Sequence, residues 1–169
     1  FLISRAFQLI VSLKNQAIAE IMSDSTCIIA EGEVLQLINQ RDPETTESRY
    51  MDVIYGKTAQ LFAAATETGA VLGNPQFRDA MKNYALHFGA AFQIIDDVID
   101  VTESTSTLGK TALSDVNNNK LTYVSLLGVE KSLEKANQYQ MEGLKHLDKM
   151  SIETESLRLI AESFINRKC

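Results

Sequence analysis

Phe92-Gln93-Ile94-Ile95-Asp96-Asp97-Val98-Ile99-Asp100 is the stretch on which the reading of the whole chain turns. In a helix, positions i, i+3, i+4 and i+7 share one face, and here they hold Gln93, Asp96, Asp97 and Asp100. Three carboxylates and an amide therefore form one stripe. Ile94, Ile95, Val98 and Ile99 border it on both sides, so most ways of burying this helix bring the acids close to the interior. Like charges that close repel, and partial desolvation sharpens the repulsion, so the arrangement calls for a cation. Neighbouring carboxylates that hold a hard divalent ion and leave positions for phosphate oxygens are what a magnesium–diphosphate site uses. The competing reading is a solvated acidic face on a surface helix. Such a face normally lies opposite the apolar stripe, however, and is not embedded in it.

Outward from the stripe, the same helix is expected to open after Gly73-Asn74-Pro75 and to pack through Met81, Ala85, Phe88 and Phe92, with Gly89 permitting close contact. His87 stands alone among apolar residues and reads as structural. The preceding helix is expected from a Thr45 or Thr46 cap to about residue 72, with Tyr50, Ile54, Leu61, Ala65 and Leu72 on its buried side. Lys57 and Thr58 fall between Ile54 and Leu61, so a lysine and a hydroxyl occupy an apolar face. An unpaired buried ammonium is costly. Lys57 therefore either snorkels to the surface or meets an anion inside, and the carboxylate stripe favours the second.

Further upstream, residues 1–22 have helical period, with Leu2, Ala6, Leu9, Ile10 and Leu13 on a stripe that suits a neighbouring helix. Ser23-Asp24-Ser25 reads as a capping cluster for a helix to about residue 39, with Ile28, Leu35 and Ile38 inward and Gly32 leaving room for a close backbone approach. Glu31, Glu33 and Gln36 lie on or beside that face and suit solvent or a site equally well. Downstream, the pattern lapses after Val101, and the polar run through Lys110, Asp115 and Lys120 reads as a long loop, either functional or a surface linker. Helix returns as a short piece over 121–128, a solvated outer helix over 129–149 and a last helix over 153–167 with Leu157, Ile160, Ala161, Phe164 and Ile165 inward.

The fold class is thus all-α, one helical domain over 1–169. The 169 residues are 45% hydrophobic with 2 prolines and no tryptophan, enough for a sizeable core. A net charge of −6 argues against nucleic acid and anionic membranes as partners. No apolar run reaches transmembrane length, so no stable membrane insertion is expected, and the protein reads as soluble and cytoplasmic. Cys27 and Cys169 imply no disulfide framework, and Cys27 reads as a small buried hydrophobe. The start at Phe1-Leu2-Ile3 reads as the later portion of a longer protein.

Gly32-Glu33-x-x-Gln36, Lys57-Thr58, Phe92-Gln93-x-x-Asp96-Asp97-x-x-Asp100 and Leu108-Gly109-Lys110 followed by Asp115 and Lys120, in this order and spacing, resemble the trans-isoprenyl diphosphate synthases of the polyprenyl synthetase family. Up to about residue 100 the likeness is to octaprenyl-type enzymes. After Lys120 it is to bacterial farnesyl or geranylgeranyl synthases, so the product length stays open. The resemblance implies an isoprenoid-synthase-type helical bundle around a central cavity, here partial, usually as a homodimer. It implies that Asp96 and Asp100 are Mg2+ ligands, with Asp97 a supporting acid, and that Asp96, Asp97, Asp100 and Lys57 form the catalytic group. Lys57, Lys110 and Lys120 would bind the allylic diphosphate, and Thr58, Gln93 and Gln36 would line its site. The implied reaction is head-to-tail condensation of an allylic diphosphate with isopentenyl diphosphate. The family's first DDxxD motif and its upstream Gly-Lys-Arg segment do not occur in this sequence, so the 169 residues alone are expected to be inactive. Two other readings are a class I terpene cyclase, whose second metal motif would need Asn and Ser/Thr ligands, and a catalytically silent subunit of a hetero-oligomeric synthase.

Overall fold

The computed structural model describes residues 1–40, 42, 44–108 and 122–165, the side chains of 103–108 excepted, and every regular element among them is helical. The elements are α1 (Leu2–Ser12), α2 (Gln16–Asn39), α3 (Glu47–Val53), a π-helical segment (Ile54–Ala59), α4 (Gln60–Gly73), a 3-10 turn (Pro75–Phe77), α5 (Arg78–Leu108), α6 (Tyr123–Leu127), α7 (Val129–Leu147) and α8 (Glu155–Ile165). The long α5 runs through the middle and packs on α4, the π segment, α6, α7 and α8. Ile94, Ile95 and Val98 are almost wholly buried, as the apolar borders of the acidic stripe require.

The first helix boundary differs from the expected one. The break falls at Leu13-Lys14-Asn15, where Lys14 takes φ 49° and the Asn15 side chain accepts from the Ile18 N–H at 3.2 Å. Asparagine is as strong an N-cap as serine, and a lysine in the left-handed region stops the preceding helix. The Ser23-Asp24-Ser25 cluster therefore lies inside α2, where Ser25 is buried and accepts from Gln60 Nε2 at 2.9 Å. No residue of α1 is buried, and of its apolar stripe only Ile10 is half-buried.

Helix α2 turns Ile18, Ile21, Ser25, Gly32 and Asn39 inward, whereas Ile28 and Ile38 are exposed along an open groove. Cys27 is exposed on the same groove and donates to Glu31, contrary to the expectation of a buried thiol. The reason is the small pair Gly32 and Gly56. It draws one particular face of α2 against the π segment, and that contact outweighs the wider apolar stripe. A Cβ placed on Gly32 would lie 2.6 Å from the Lys57 backbone nitrogen.

The expected single helix over 46–72 is interrupted by the π segment, and this moves its buried face. A π turn holds more residues than an α turn, so everything after it is rotated about the axis. Tyr50 and Ile54 are inward as expected, but beyond the π segment Ala59, Ala63, Ala64, Glu67 and Ala70 face the core. Leu61, Ala65 and Leu72, which an unbroken 3.6-residue period places inward, are exposed. Gly89 of α5 presses on the far end of the segment, where an added Cβ would stand 2.5 Å from Ala59 Cα.

Two further differences lie downstream. Helix α5 continues to Leu108, through the polar run expected to be loop. Thr102 is compatible with this because its hydroxyl bonds back to the Val98 carbonyl oxygen at 2.9 Å. Helix α7 is not a solvated outer helix. Ser132, Ala136, Gly143 and Leu147, at intervals of four, seven and four, form a narrow buried seam against α5. Small side chains let the two helices approach closely, so a helix with many charges can still be central. In α8, Ala161 is buried and Leu157, Phe164 and Ile165 are half-buried, while Ile160 is exposed.

Candidate functional site

The π segment carries Lys57, one of the cations expected at the site. Lys57 Nζ donates to Gln36 Oε1 at 2.5 Å and lies 2.8 Å from Glu33 Oε2. The ammonium thus neither snorkels away nor sits buried without a partner. It is half-exposed and held between two polar residues of α2. This joins Glu33 and Gln36, whose role the sequence left open, to the lysine 21 residues beyond Gln36. The next residue turns the other way: Thr58 Oγ1 donates to Gln93 Oε1 of α5 at 2.9 Å. Consecutive residues of the π segment therefore bind two different helices, and a widened turn at a functional site is a recurrent use of this geometry.

On α5 the three acids fare differently. Asp97 is 3% exposed, Asp96 is half-buried and Asp100 is exposed. Gln93 Nε2 donates to Asp97 Oδ1 at 3.1 Å, which completes a chain from Thr58 through Gln93 to Asp97. Asp97 Oδ2 accepts from the Tyr50 hydroxyl at 2.7 Å and from the Tyr123 N–H at 2.8 Å. Burial, then the adjacent Asp97 carboxylate, pushes the Tyr50 hydroxyl far above its ordinary range, so it remains a proton donor. Tyr123 is held at its other end too, its hydroxyl donating to Glu47 Oε1 at 2.5 Å. That hydrogen bond and the Lys135 ammonium 3.0 Å away hold the Glu47 carboxyl below the usual range.

The expected site residues thus divide. Lys57 is bonded to Gln36 on one side, and Thr58, Gln93 and Asp97 form a separate chain on the other, with Asp96 and Asp100 on the same helix face as Gln93. Both polar ends of Gln93, and the hydroxyl hydrogen of Thr58, are engaged within the chain. Lys110, Asp115 and Lys120 lie outside the described residues. Among the described residues no group of three or more Asp, Glu, His or Cys forms a cluster suited to a metal ion. Two carboxylates one turn apart are nonetheless the donor set that Mg2+ takes when phosphate oxygens and water complete its shell, so Asp96 and Asp100 fit it. His87, given no role by the sequence, donates its Nδ1–H to the Asn83 carbonyl oxygen at 2.8 Å and packs near His146.

Tyr50, Tyr123 and Glu47 are not legible from the sequence as partners of the site residues. Tyr50 reads only as part of a packing face, and the Tyr123 contact uses a backbone N–H that carries no side-chain signal. Glu33 is legible through its motif with Gln36, though not as the partner of Lys57.

Comparison with known proteins points to one family. The polyprenyl synthetase family description matches residues 1–158. The all-trans-nonaprenyl-diphosphate synthase (geranyl-diphosphate specific) of Rhodobacter capsulatus is 50% identical over 123 residues, 72% of this chain and 38% of that protein. The octaprenyl diphosphate synthase of Escherichia coli is 44% identical over 124 residues, with the same coverage of 72% and 38%. The chain therefore spans under two-fifths of the length of these curated relatives. Among solved structures, the polyprenyl synthase of Roseobacter denitrificans superposes with a TM-score of 0.83 at 28% identity, over 98% of this chain and 68% of that one. A polyprenyl synthase of Caulobacter crescentus, solved with calcium and isoprenyl diphosphate, gives 0.82 at 28% identity, over 98% and 63%.

Proposed function

The chain belongs to the polyprenyl synthetase family, and from that premise we propose that the protein it forms part of condenses an allylic diphosphate with isopentenyl diphosphate, head to tail, into a longer trans-polyprenyl diphosphate. The observation that carries this reading is the Thr58–Gln93 hydrogen bond of 2.9 Å. It ties the segment bearing Lys57 to the helix bearing Asp96 and Asp100, which supports a site built from these two elements.

In this reading Lys57 neutralises a diphosphate oxygen of the allylic substrate, and Glu33 and Gln36 keep its ammonium in position. Asp96 and Asp100 would hold Mg2+, which supplies positive charge to the departing diphosphate. Asp97, held by hydrogen bonds from Tyr50, Tyr123 and Gln93, fixes the helix and is assigned no ligand place. Thr58 and Gln93 join the two walls. Lys110 and Lys120 are assigned to the diphosphate by the resemblance alone. With one aspartate-rich motif of the family's two, the 169 residues by themselves are expected to have no synthase activity, and the complete protein is read as a cytoplasmic homodimer.

The test is Asp96→Ala in the full-length protein, assayed for incorporation of isopentenyl diphosphate and for thermal midpoint. Turnover should fall by about a hundred-fold or more while the midpoint moves little. Parallel loss of both would make Asp96 a structural acid and remove the metal site from this face.

A further inference from the structure

We infer that Tyr50 is a positioning residue for the metal-binding face of α5, acting through Asp97. This rests on the function proposed above and adds a residue that neither the motifs nor the sequence spacing single out.

The argument begins with what the hydroxyl does. The Tyr50 ring is 7% exposed and packs 5.9 Å from the Tyr123 ring, a place a phenylalanine would fill equally well. Its hydroxyl donates 2.7 Å to Asp97 Oδ2. The same oxygen receives the Tyr123 N–H, while the other receives Gln93 Nε2. Donors from α3, from the start of α6 and from α5 itself thus converge on one carboxylate.

Pinning that carboxylate helps set the rotation of α5 about its axis, beside the packing of α5 on α4, the π segment and α7. At about 100° per residue, Asp96 and Asp100 both lie to the same side of Asp97, about 40° from one another. A rotation of α5 that lengthens the Tyr50–Asp97 bond therefore carries both proposed ligands away together. Gln93 lies on that side too, and through Thr58 it sets the face against the π segment of Lys57. Tyr50 is also well placed to remain a donor, since the phenol is buried beside a carboxylate and does not ionise at neutral pH.

The experiment compares Tyr50→Phe with Tyr84→Phe in the full-length protein. Tyr84 is the control: it is 3% exposed, lies on α5 about three turns before the acidic stripe, and its hydroxyl donates 2.8 Å to the Leu157 carbonyl oxygen. Both variants lose one hydrogen-bonded hydroxyl and should lower the thermal midpoint, Tyr50→Phe the more because its acceptor is charged. Mn2+-dependent binding of inorganic pyrophosphate is then followed by calorimetry, a readout independent of turnover. Tyr50→Phe should weaken that binding by about ten-fold, as loss of an outer-shell partner does, and Tyr84→Phe should leave it unchanged. Equal binding by the two variants would overturn the positioning role of Tyr50 while leaving the proposed function standing. Failure of the unsubstituted protein to bind pyrophosphate with Mn2+ would overturn both.

Discussion

Gly32 of α2 lies so close to Lys57 that a Cβ built on the glycine would stand 2.6 Å from the lysine's backbone nitrogen and 2.9 Å from the carbonyl carbon of Gly56. Both neighbours are backbone of the π segment and cannot swing aside as a side-chain end could. The contact sets how far Lys57 stands from Gln36 and Glu33, so the packing of two glycines and the placement of the cation are one feature.

A pair of substitutions separates packing from helix propensity. Gly32→Ala gains about 1 kcal/mol of propensity but forces two backbones apart, and the net loss should be about 2 kcal/mol. Gly69→Ala in α4 meets nothing within 4 Å and should stabilise by about 0.5–1 kcal/mol. Urea titration of both variants checks this, and stabilisation by Gly32→Ala would mean that α2 and the π segment are not in tight contact.

Asp97 should behave as a structural acid. In Asp97→Ala the Tyr50 hydroxyl and the Tyr123 N–H lose a buried acceptor, and the cost should be about 3 kcal/mol of folding stability. Equilibrium denaturation measures it. A loss below about 1 kcal/mol would indicate that water reaches both donors.

Lys57 should show the opposite balance. Its pair with Glu33 is half-exposed, and such pairs contribute little to stability. Lys57→Ala should leave the thermal midpoint nearly unchanged while weakening binding of an allylic thiodiphosphate by about ten-fold or more, the loss expected for one charged hydrogen bond. Unchanged affinity would remove Lys57 from the site.

The Glu47 carboxyl is held below its ordinary value of 4.5, first by the Tyr123 hydroxyl and then by Lys135. A folded-state value lower than the unfolded one gives stability that is present above about pH 4.5 and is lost as pH falls through the folded value. Glu47→Gln should therefore have a lower thermal midpoint than the unsubstituted protein at pH 7, and the gap should close progressively below pH 4.5. A gap that stays constant down to pH 3.5 would show that the Tyr123 contact does not depend on charge.

The local signals in the sequence were sufficient wherever one helix settles the question. The stripe of Gln93, Asp96, Asp97 and Asp100 among isoleucines gave α5 its helical character and its acids, and the pair Thr45-Thr46 gave the start of α3, of which Thr46 is the cap. The order of Gly32-Glu33-x-x-Gln36, Lys57-Thr58 and the acidic stripe gave the family resemblance, because those residues are spaced along single elements.

What tertiary structure alone decided were the relations between elements. Periodicity presumes a constant 3.6 residues per turn, so it placed Leu61 and Leu72 inward; the π segment breaks that period and turns them out. It could not tell which of three adjacent acids is buried, since that depends on Tyr50 and on a backbone N–H 26 residues beyond Asp97. Side-chain pattern records what a helix offers to its surroundings. Which offer is taken up depends on how closely the neighbouring backbone can come, and here glycines on two other helices set that distance.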